Sequence, residues 1–155
     1  MRDKANYFLA LFLFIGNIQL LAQQTLQFTE DFVEYKKGLA LFEKDEYPAA
    51  KVHFDRAIDL LPKPAGRNSK LIESELNYYT AVCAAKLNYP IAEEKLNYYI
   101  QNGLSADHIK SAHFFLGSIY FKQGQYSKVV ENFKKADVTL LSRKDRETYQ
   151  FQYGY

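Results

Sequence analysis

Three tyrosines in this chain, Tyr47, Tyr89 and Tyr126, stand at the same place in a recurring pattern of large and small residues. Each is followed seven residues later by a bulky apolar residue and preceded nine residues earlier by a smaller one. In chain order the bulky residues are Phe54, Leu96 and Phe133, and the smaller ones are Gly38, Thr80 and Gly117. The copies are 42 and 37 residues apart, a spacing typical of stacked helix pairs. Such arrays present extended binding surfaces, so the pattern favours binding over catalysis.

The first copy predicts two helices joined by a tight turn. Apolar residues recur at helical spacing across Phe32–Lys44, which contains no proline. Pro48 lacks a backbone N–H and fits only the first turn of a helix, so a second helix is expected to start beside it. That helix should stop at Pro62. Gly38 and Ala50 lie on opposite helices of this hairpin, and we expect both to be small so that the two backbones can approach.

Six positions of the first copy resemble the tetratricopeptide repeat at its glycine, tyrosine, alanine, phenylalanine, alanine and proline positions. They are Gly38, Tyr47, Ala50, Phe54, Ala57 and Pro62. The third copy is similar to the same motif at Leu116, Gly117, Tyr120, Gly124, Tyr126, Phe133 and Ala136. It departs from the motif with His113 in place of an aromatic residue and Val129 in place of an alanine.

The middle copy departs most from the motif. Tyr89, Ala92 and Leu96 match it, whereas Thr80 replaces the glycine and Tyr99 replaces the second alanine. The register of this copy is therefore open by one residue.

The resemblance implies an all-α fold, a right-handed α-solenoid of antiparallel helix pairs over residues 23–155, preceded by an N-terminal signal-peptide helix. The expected repeats cover about 31–62, 73–104 and 110–141, with the start of a fourth at 143–155.

Residues 1–22 have the pattern of a secretory signal peptide. Arg2 and Lys4 precede an apolar run from Phe8 to Ile15, and cleavage is expected after Ala22. The stretch is short for a membrane span, which needs roughly 20 apolar residues. An uncleaved membrane anchor stays open, because the residue three before the cut is not small. The start of the mature chain resembles exported proteins of Gram-negative bacteria, so we expect a periplasmic protein, with association with the outer membrane as a further option.

The chain carries no motif of an enzyme, and we expect neither a cofactor nor a metal site. No glycine-rich phosphate loop, serine-centred elbow or His-Glu metal motif occurs. His108 and His113 are five residues apart, so on one helix they would point to different faces. Cys83 is the only cysteine and lies in an apolar segment, where a free thiol packs as a small hydrophobic group.

Charge gives no sign of a nucleic-acid partner. The formal net charge is +2, and lysines such as Lys36 and Lys134 are interleaved with acidic residues such as Glu34 and Glu131. These are the solvated faces of helices. Membrane contact is expected only through the signal peptide or through a partner.

In the tetratricopeptide repeat, the first helix of each pair lines the concave side of the superhelix, where partners usually bind. The resemblance therefore implies partner-binding positions at Tyr35, Leu39, Phe42, Glu43, Asn77, Phe114, Ser118, Phe121 and Lys122. The aromatic members would form an apolar strip with Glu43 and Lys122 at its rim, as a peptide-binding groove requires. The alternative is that several of these residues only pack against the neighbouring repeat.

The carboxy-terminal residues predict the start of a fourth helix pair. Ser142 followed by Asp145 is typical of a helix start, and Gly154 falls 37 residues after Gly117. The competing interpretation is a strand, because aromatic residues alternate with other residues across 149–155. An incomplete last pair would expose Tyr and Phe side chains, so we expect self-association.

Two functions are compatible with these features. The first is a non-catalytic protein–protein interaction scaffold of the bacterial cell envelope, which binds a protein or peptide partner on its concave surface. The second is an N-terminal targeting or assembly module of a longer protein whose activity lies beyond residue 155.

Overall fold

The computed structural model describes residues 30–62 and 66–154. Within those ranges the chain is all-α and contains no strand. The segment expected to be a signal peptide, residues 1–22, lies outside them. No helix in the described ranges combines the length and the apolar character that crossing a bilayer requires.

The helices follow one another along the chain and pack largely in that order. They are α1 (30–42), α2 (Tyr47–Leu60), α3 (Arg67–Lys86), α4 (Ala92–Asn102), α5 (Ala106–Lys122), α6 (Tyr126–Phe133) and α7 (Arg143–Gly154), with a 3-10 helix at Val138–Leu140. From α2 to α6 each helix packs against the next, α3 also meets α5, and α7 rests on α5 and α6. The predicted first hairpin is confirmed, because Pro48 lies in the first turn of α2 and the helix ends before Pro62.

The helices α1, α3 and α5 end in the same hydrogen-bonded turn, a Schellman motif. In each turn one residue takes a left-handed backbone, with φ of 60° at Asp45, 56° at Asn88 and 72° at Gly124. The next N–H donates to the carbonyl oxygen five residues back, as from Glu46 to Leu41 at 3.0 Å. Equivalent bonds run from Tyr89 to Ala84 and from Gln125 to Tyr120, both at 2.9 Å. The three turns are structurally equivalent and fix the register of the copies.

These turns shift the first helix of the middle copy by one residue relative to the tyrosine pattern. Asn88 stands where Asp45 and Gly124 stand, so Tyr89 falls one place before the position of Tyr47. The physical reason is that the residue with positive φ determines the turn, and asparagine and glycine suit that role better than most residues. The tyrosine does not determine it.

A phenylalanine ring packed against a glycine joins the helices of the first and third pairs. A Cβ added to Gly38 would lie 2.5 Å from the Phe54 ring, and one added to Gly117 would meet the Phe133 ring as closely. Both rings are buried. With the register set by the turns, the corresponding residue of α3 is Ala81, which is fully buried.

A polar pair also recurs between the same two helical positions. In the first pair of helices, Nδ1 of His53 lies 2.7 Å from a carboxylate oxygen of Glu34. In the third pair, Nδ1 of His113 lies 2.9 Å from the side-chain oxygen of Asn132. The histidine lies on the second helix of the first pair and on the first helix of the third pair. Both pairs have a hydrogen bond between their two helices at these positions. Both histidines are structural in this sense.

The carboxy-terminal segment is helical, so the helix interpretation is confirmed and the strand interpretation is wrong. Ser142 precedes α7, and its Oγ accepts a hydrogen bond from the Asp145 N–H at 3.2 Å. This is the N-cap arrangement that the sequence predicted. A Cβ at Gly154 would meet no atom within 4 Å, in contrast to Gly38 and Gly117.

Candidate partner-binding surface

The predicted partner-binding residues differ in how far they reach solvent. Glu43 and Lys122 are exposed, as residues at the rim of a groove should be. Tyr35, Leu39, Phe42, Asn77, Ser118 and Phe121 are partly buried. Phe114 is 1% exposed and forms part of the hydrophobic core.

Phe114 therefore offers no surface to a partner. Its ring packs 6.0 Å from that of Phe133 and 6.4 Å from that of Tyr149. Ser118 likewise faces the neighbouring helix, since its hydroxyl donates to the Gln152 side chain at 2.8 Å. At these positions packing against the next helix, the alternative that the sequence left open, describes the observed contacts.

The aromatic residues of α1 join an aromatic cluster between the first three helices. Tyr35 and Phe42 lie 6.3 and 5.1 Å from the Tyr79 ring, measured between centroids. The Tyr79 ring in turn stacks on Phe54 at 5.2 Å. Leu39 packs against the same cluster. These side chains are partly core and partly surface.

Asn77 lies away from the other predicted residues because of the register shift in α3. It borders a small cavity toward α4, together with Ser74 and Tyr99. Counted from the turns, the positions that correspond to Tyr35 and Glu43 are Tyr78 and Lys86. The motif-based alignment missed these two residues, although the turn-forming character of Asn88 is a sequence signal that could have found them.

Tyr78 and Lys86 line a cavity of about 340 Å³ on the face shared by α1, α3 and α5. Half of its lining residues are aromatic or aliphatic, namely Phe42, Tyr47, Tyr78, Phe115, Leu140 and Leu141. Its polar groups are Glu43, Asp45, Lys86, Ser111, Ser142 and Asp145. Ligand-binding cavities usually have fewer polar groups than this one, and its volume is at the small end of the usual range.

Lys86 is the central polar residue of this cavity. Its Nζ donates to an Asp145 carboxylate oxygen and lies 5.4 Å from the Tyr47 ring centroid and 5.3 Å from that of Phe115. The side chains of Lys86 and Asp145 retain only 17% and 12% exposure. The ion pair is thus largely shielded from water, and the two aromatic faces add cation–π attraction to it.

A second contact joins distant parts of the chain beside this ion pair. Lys144 Nζ lies 3.4 Å from a carboxylate oxygen of Asp45, which lies in the turn between α1 and α2. Asp45 also accepts a hydrogen bond from the Tyr47 hydroxyl, which lowers the pKa of its carboxyl, and Lys144 lowers it further. The start of α7 therefore reaches across the cavity to the end of α1.

A larger cavity, of about 560 Å³, lies between α1 and α2, away from the predicted residues. It is a shallow depression, lined by Glu30, Val33, Glu34, Lys37, Arg56, Asp59 and Leu60. We favour the smaller cavity as a binding site, because its aromatic residues come from four helices and it shelters a charged pair.

The remaining reactive side chains have structural surroundings. The imidazole of His108 stacks on the Tyr78 ring at 4.0 Å, and its Nδ1 lies 3.3 Å from a Glu75 carboxylate oxygen. Cys83 is fully buried, and burial raises the pKa of its thiol to about 12. A thiol in these surroundings stays protonated and behaves as a small hydrophobic group.

Comparison of the chain with protein-family models, with curated proteins and with solved structures finds no match.

Proposed function

We propose that this chain is a right-handed α-solenoid of the tetratricopeptide-repeat type and a non-catalytic scaffold for protein–protein interaction. Three features that recur 79 residues apart support the repeat. They are the ring against glycine (Gly38 with Phe54, Gly117 with Phe133), the histidine-containing polar pair, and the Schellman turns at Asp45 and Gly124. In a solenoid, equivalent side chains line a continuous face, which is suited to an extended partner.

We propose that the partner is a protein or peptide that binds the face shared by α1, α3 and α5. The observation that carries this proposal is the aromatic cavity on that face, with Phe42, Tyr78 and Phe115 in its wall. Exposed charges at Glu43 and Lys122 lie along the same helices. Buried aromatic anchors surrounded by a polar rim are the usual composition of a peptide-binding surface. The interleaved charges of the chain give no comparable support for a nucleic acid.

We further propose that the protein acts in the bacterial cell envelope, with the periplasm as its compartment. The support is the sequence of residues 1–22, with two basic residues before an apolar run and a small residue at the expected cleavage site. Mass spectrometry of the protein purified from periplasmic extract tests this directly. We expect a mature chain that begins at Gln23, and an intact N-terminus in the cytoplasm would contradict the proposal.

Site-specific photo-crosslinking tests the binding surface without disturbing the core. A photoreactive amino acid is placed at Glu43 or at Lys122, both exposed on the proposed face, and at Lys134 as a control. Lys134 is exposed at the end of α6, a second helix of a pair.

We expect adducts with one polypeptide from Glu43 and Lys122 and none from Lys134, after exposure of the living cell to light. Binding of the identified segment is then measured with purified components. Equal crosslinking from all three positions would indicate contact without a specific surface. The absence of any adduct at Glu43 and Lys122 would contradict the proposal.

A further inference from the structure

The cavity on the α1–α3–α5 face is covered by a part of the same chain. We define the latch segment as residues 138–145, which comprise the 3-10 helix, its connection and the start of α7. Leu140, Leu141 and Asp145 of this segment all line the cavity. Leu141 is only 6% exposed and belongs to the main hydrophobic cluster. The chain thus supplies its own occupant for the surface on which a partner is proposed to bind.

The contacts of the latch segment are of the kind that a bound peptide would make. Leu141 provides an apolar anchor, and the Asp145 carboxylate pairs with Lys86. Lys144 reaches Asp45 at the opposite side of the cavity. These ion pairs join residues 59 and 99 positions apart. In a solenoid each repeat contacts mainly its neighbours. Stacking of the helices therefore does not require a direct contact between the turn after α1 and the last helix.

The segment fits the surface incompletely, which leaves room for a better occupant. Leu140 retains 40% exposure, although it borders a cavity of about 340 Å³. The ionic contact of Lys144 is exposed, since 73% of the Lys144 side chain and 54% of that of Asp45 remain accessible. Exposed ion pairs contribute little to stability, so the Lys144–Asp45 contact holds the segment only weakly.

We propose that the latch segment is a displaceable internal ligand, and that the partner carries the same chemistry: two adjacent leucine-like residues followed, after three residues, by a carboxylate that pairs with Lys86. This inference rests on the proposed function and names the partner chemistry and the regulation of that surface. A partner has to compete with a segment tethered at high effective concentration, so the closed chain binds weakly and an opened chain binds more tightly.

The first measurement is amide hydrogen exchange of the full chain with Lys86→Met, which keeps the aliphatic stem and removes the charge. We expect exchange in residues 138–148 to become at least tenfold faster, with α2 and α4 unchanged. A matched control, Lys95→Met, removes a lysine from α4, which does not border the cavity. Unchanged exchange in the latch segment, or uniform acceleration across all helices, would contradict a displaceable latch.

The second measurement is binding of a fluorescent synthetic peptide with the sequence of residues 136–148. The latch is disabled in the chain by Leu141→Ser with Asp145→Asn, so that the surface is free for the peptide. We expect at least tenfold tighter binding to this variant than to the unaltered chain. A control peptide that carries the same two substitutions should lose the binding. Equal binding of both peptides, or equal binding to both chains, would overturn the proposal.

A second, milder variant keeps the binding test informative if the first variant does not fold. Lys144→Ala with Asp145→Asn removes both ionic contacts of the latch segment and leaves Leu141 in place. It should bind the unaltered peptide in the same way, because Lys86 is retained. If circular dichroism shows that neither variant is folded, the segment is an integral part of the fold and the proposal is wrong.

Failure of this inference is distinguishable from failure of the proposed function. If the peptide binds but crosslinking from Glu43 and Lys122 finds no partner, the latch inference is supported and the proposed scaffold function is wrong. If crosslinking finds a partner but the peptide does not bind, the surface binds its partner without a latch and the present inference is wrong.

Discussion

The Phe54 ring fills the space that any side chain at residue 38 would need, since a Cβ built on Gly38 would lie 2.5 Å from it. The ring is fully buried and is held by Tyr35, Phe42 and Tyr79, so it has little freedom to move aside. The same relationship recurs between Gly117 and Phe133, 79 residues later in the chain.

Gly38→Ala and Gly117→Ala are therefore expected to destabilise the fold. Overpacking in a filled core costs typically about 1 to 3 kcal/mol, which outweighs the gain of about 1 kcal/mol from replacing glycine by alanine in a helix. Urea unfolding followed by circular dichroism measures the change. Gly154→Ala is the control, because no atom lies within 4 Å of its added Cβ. Loss of stability in all three variants would argue against a specific contact.

The two left-handed turn residues Gly124 and Asn88 are expected to respond differently to substitution. Gly124 has φ of 72°, a backbone conformation in which an L-residue is sterically strained. Gly124→Ala is therefore expected to lower the free energy of unfolding by about 1 to 2 kcal/mol. Asn88→Gly relieves strain at φ of 56° but loses the hydrogen bond from Lys122, so a change close to zero is expected. Thermal unfolding compares the two variants. Equal effects would show that the backbone conformation is not the cause.

The Lys86–Asp145 pair should show strong coupling in a double-mutant cycle. Either Lys86→Met or Asp145→Asn leaves a shielded polar partner without its counterpart, and we expect each to lower the free energy of opening the latch segment by roughly 3 kcal/mol. The double variant should lose clearly less than the sum, because no unpaired charge remains. Amide hydrogen exchange of residues 138–148 in the four chains gives the four free energies of opening. Strict additivity would indicate that the two side chains do not interact in solution.

The Glu34 carboxyl is expected to make the stability of the fold depend on pH. Hydrogen bonds from Lys37 and His53 lower the pKa of its carboxyl. A folded-state pKa below the unfolded value of about 4.3 contributes stability that is present above that value and is lost as pH falls through the folded pKa. Glu34→Gln should therefore be less stable than the unaltered chain at pH 6, and the difference should shrink as the pH falls through the folded pKa of Glu34.

The measurement for Glu34 is the urea midpoint as a function of pH. Glu94→Gln, an exposed change on α4, serves as the control and should leave the pH profile unaltered. A Glu34→Gln profile parallel to that of the unaltered chain over the whole range would contradict the assignment.

Cys83 should be inert in the folded protein. The thiol is fully buried, and burial raises its pKa to about 12, so almost none of the reactive thiolate is present at pH 8. A thiol reagent followed by absorbance should react at least a hundredfold faster in denaturant than in buffer. Cys83→Ser would place a hydroxyl among apolar neighbours and should lose more stability than Cys83→Ala. Rapid native reaction would show that the surrounding helices open readily.

Local features of the sequence were sufficient to predict the first two helices and the start of α7. Pro48 and Pro62 mark the start and end of α2, and Ser142 with Asp145 marks the start of α7. Gly38 was correctly predicted to sit at a close approach of two helices, although its contact is Phe54 rather than Ala50. These features act within a few residues, so they can be read from the order of residues alone.

The middle copy shows where this approach failed. Aligning Tyr89 with Tyr47 displaced α3 by one residue and selected Asn77 instead of Tyr78 as the position that corresponds to Tyr35. On a helix one residue is a rotation of about 100°, which moves a side chain to another face. Asn88, as a residue that tolerates positive φ, was the better marker of the register.

The sequence by itself determined the first two helices, the start of α7 and the recurrence of large and small residues, because propensity, capping and apolar spacing act between neighbours in the chain. Only the tertiary structure decided that Phe114 is buried and that Lys86 meets Asp145 beneath the latch segment. Such contacts join residues from distant helices. They depend on how the helices cross, which is determined by the packing of the whole set and by no single stretch of residues.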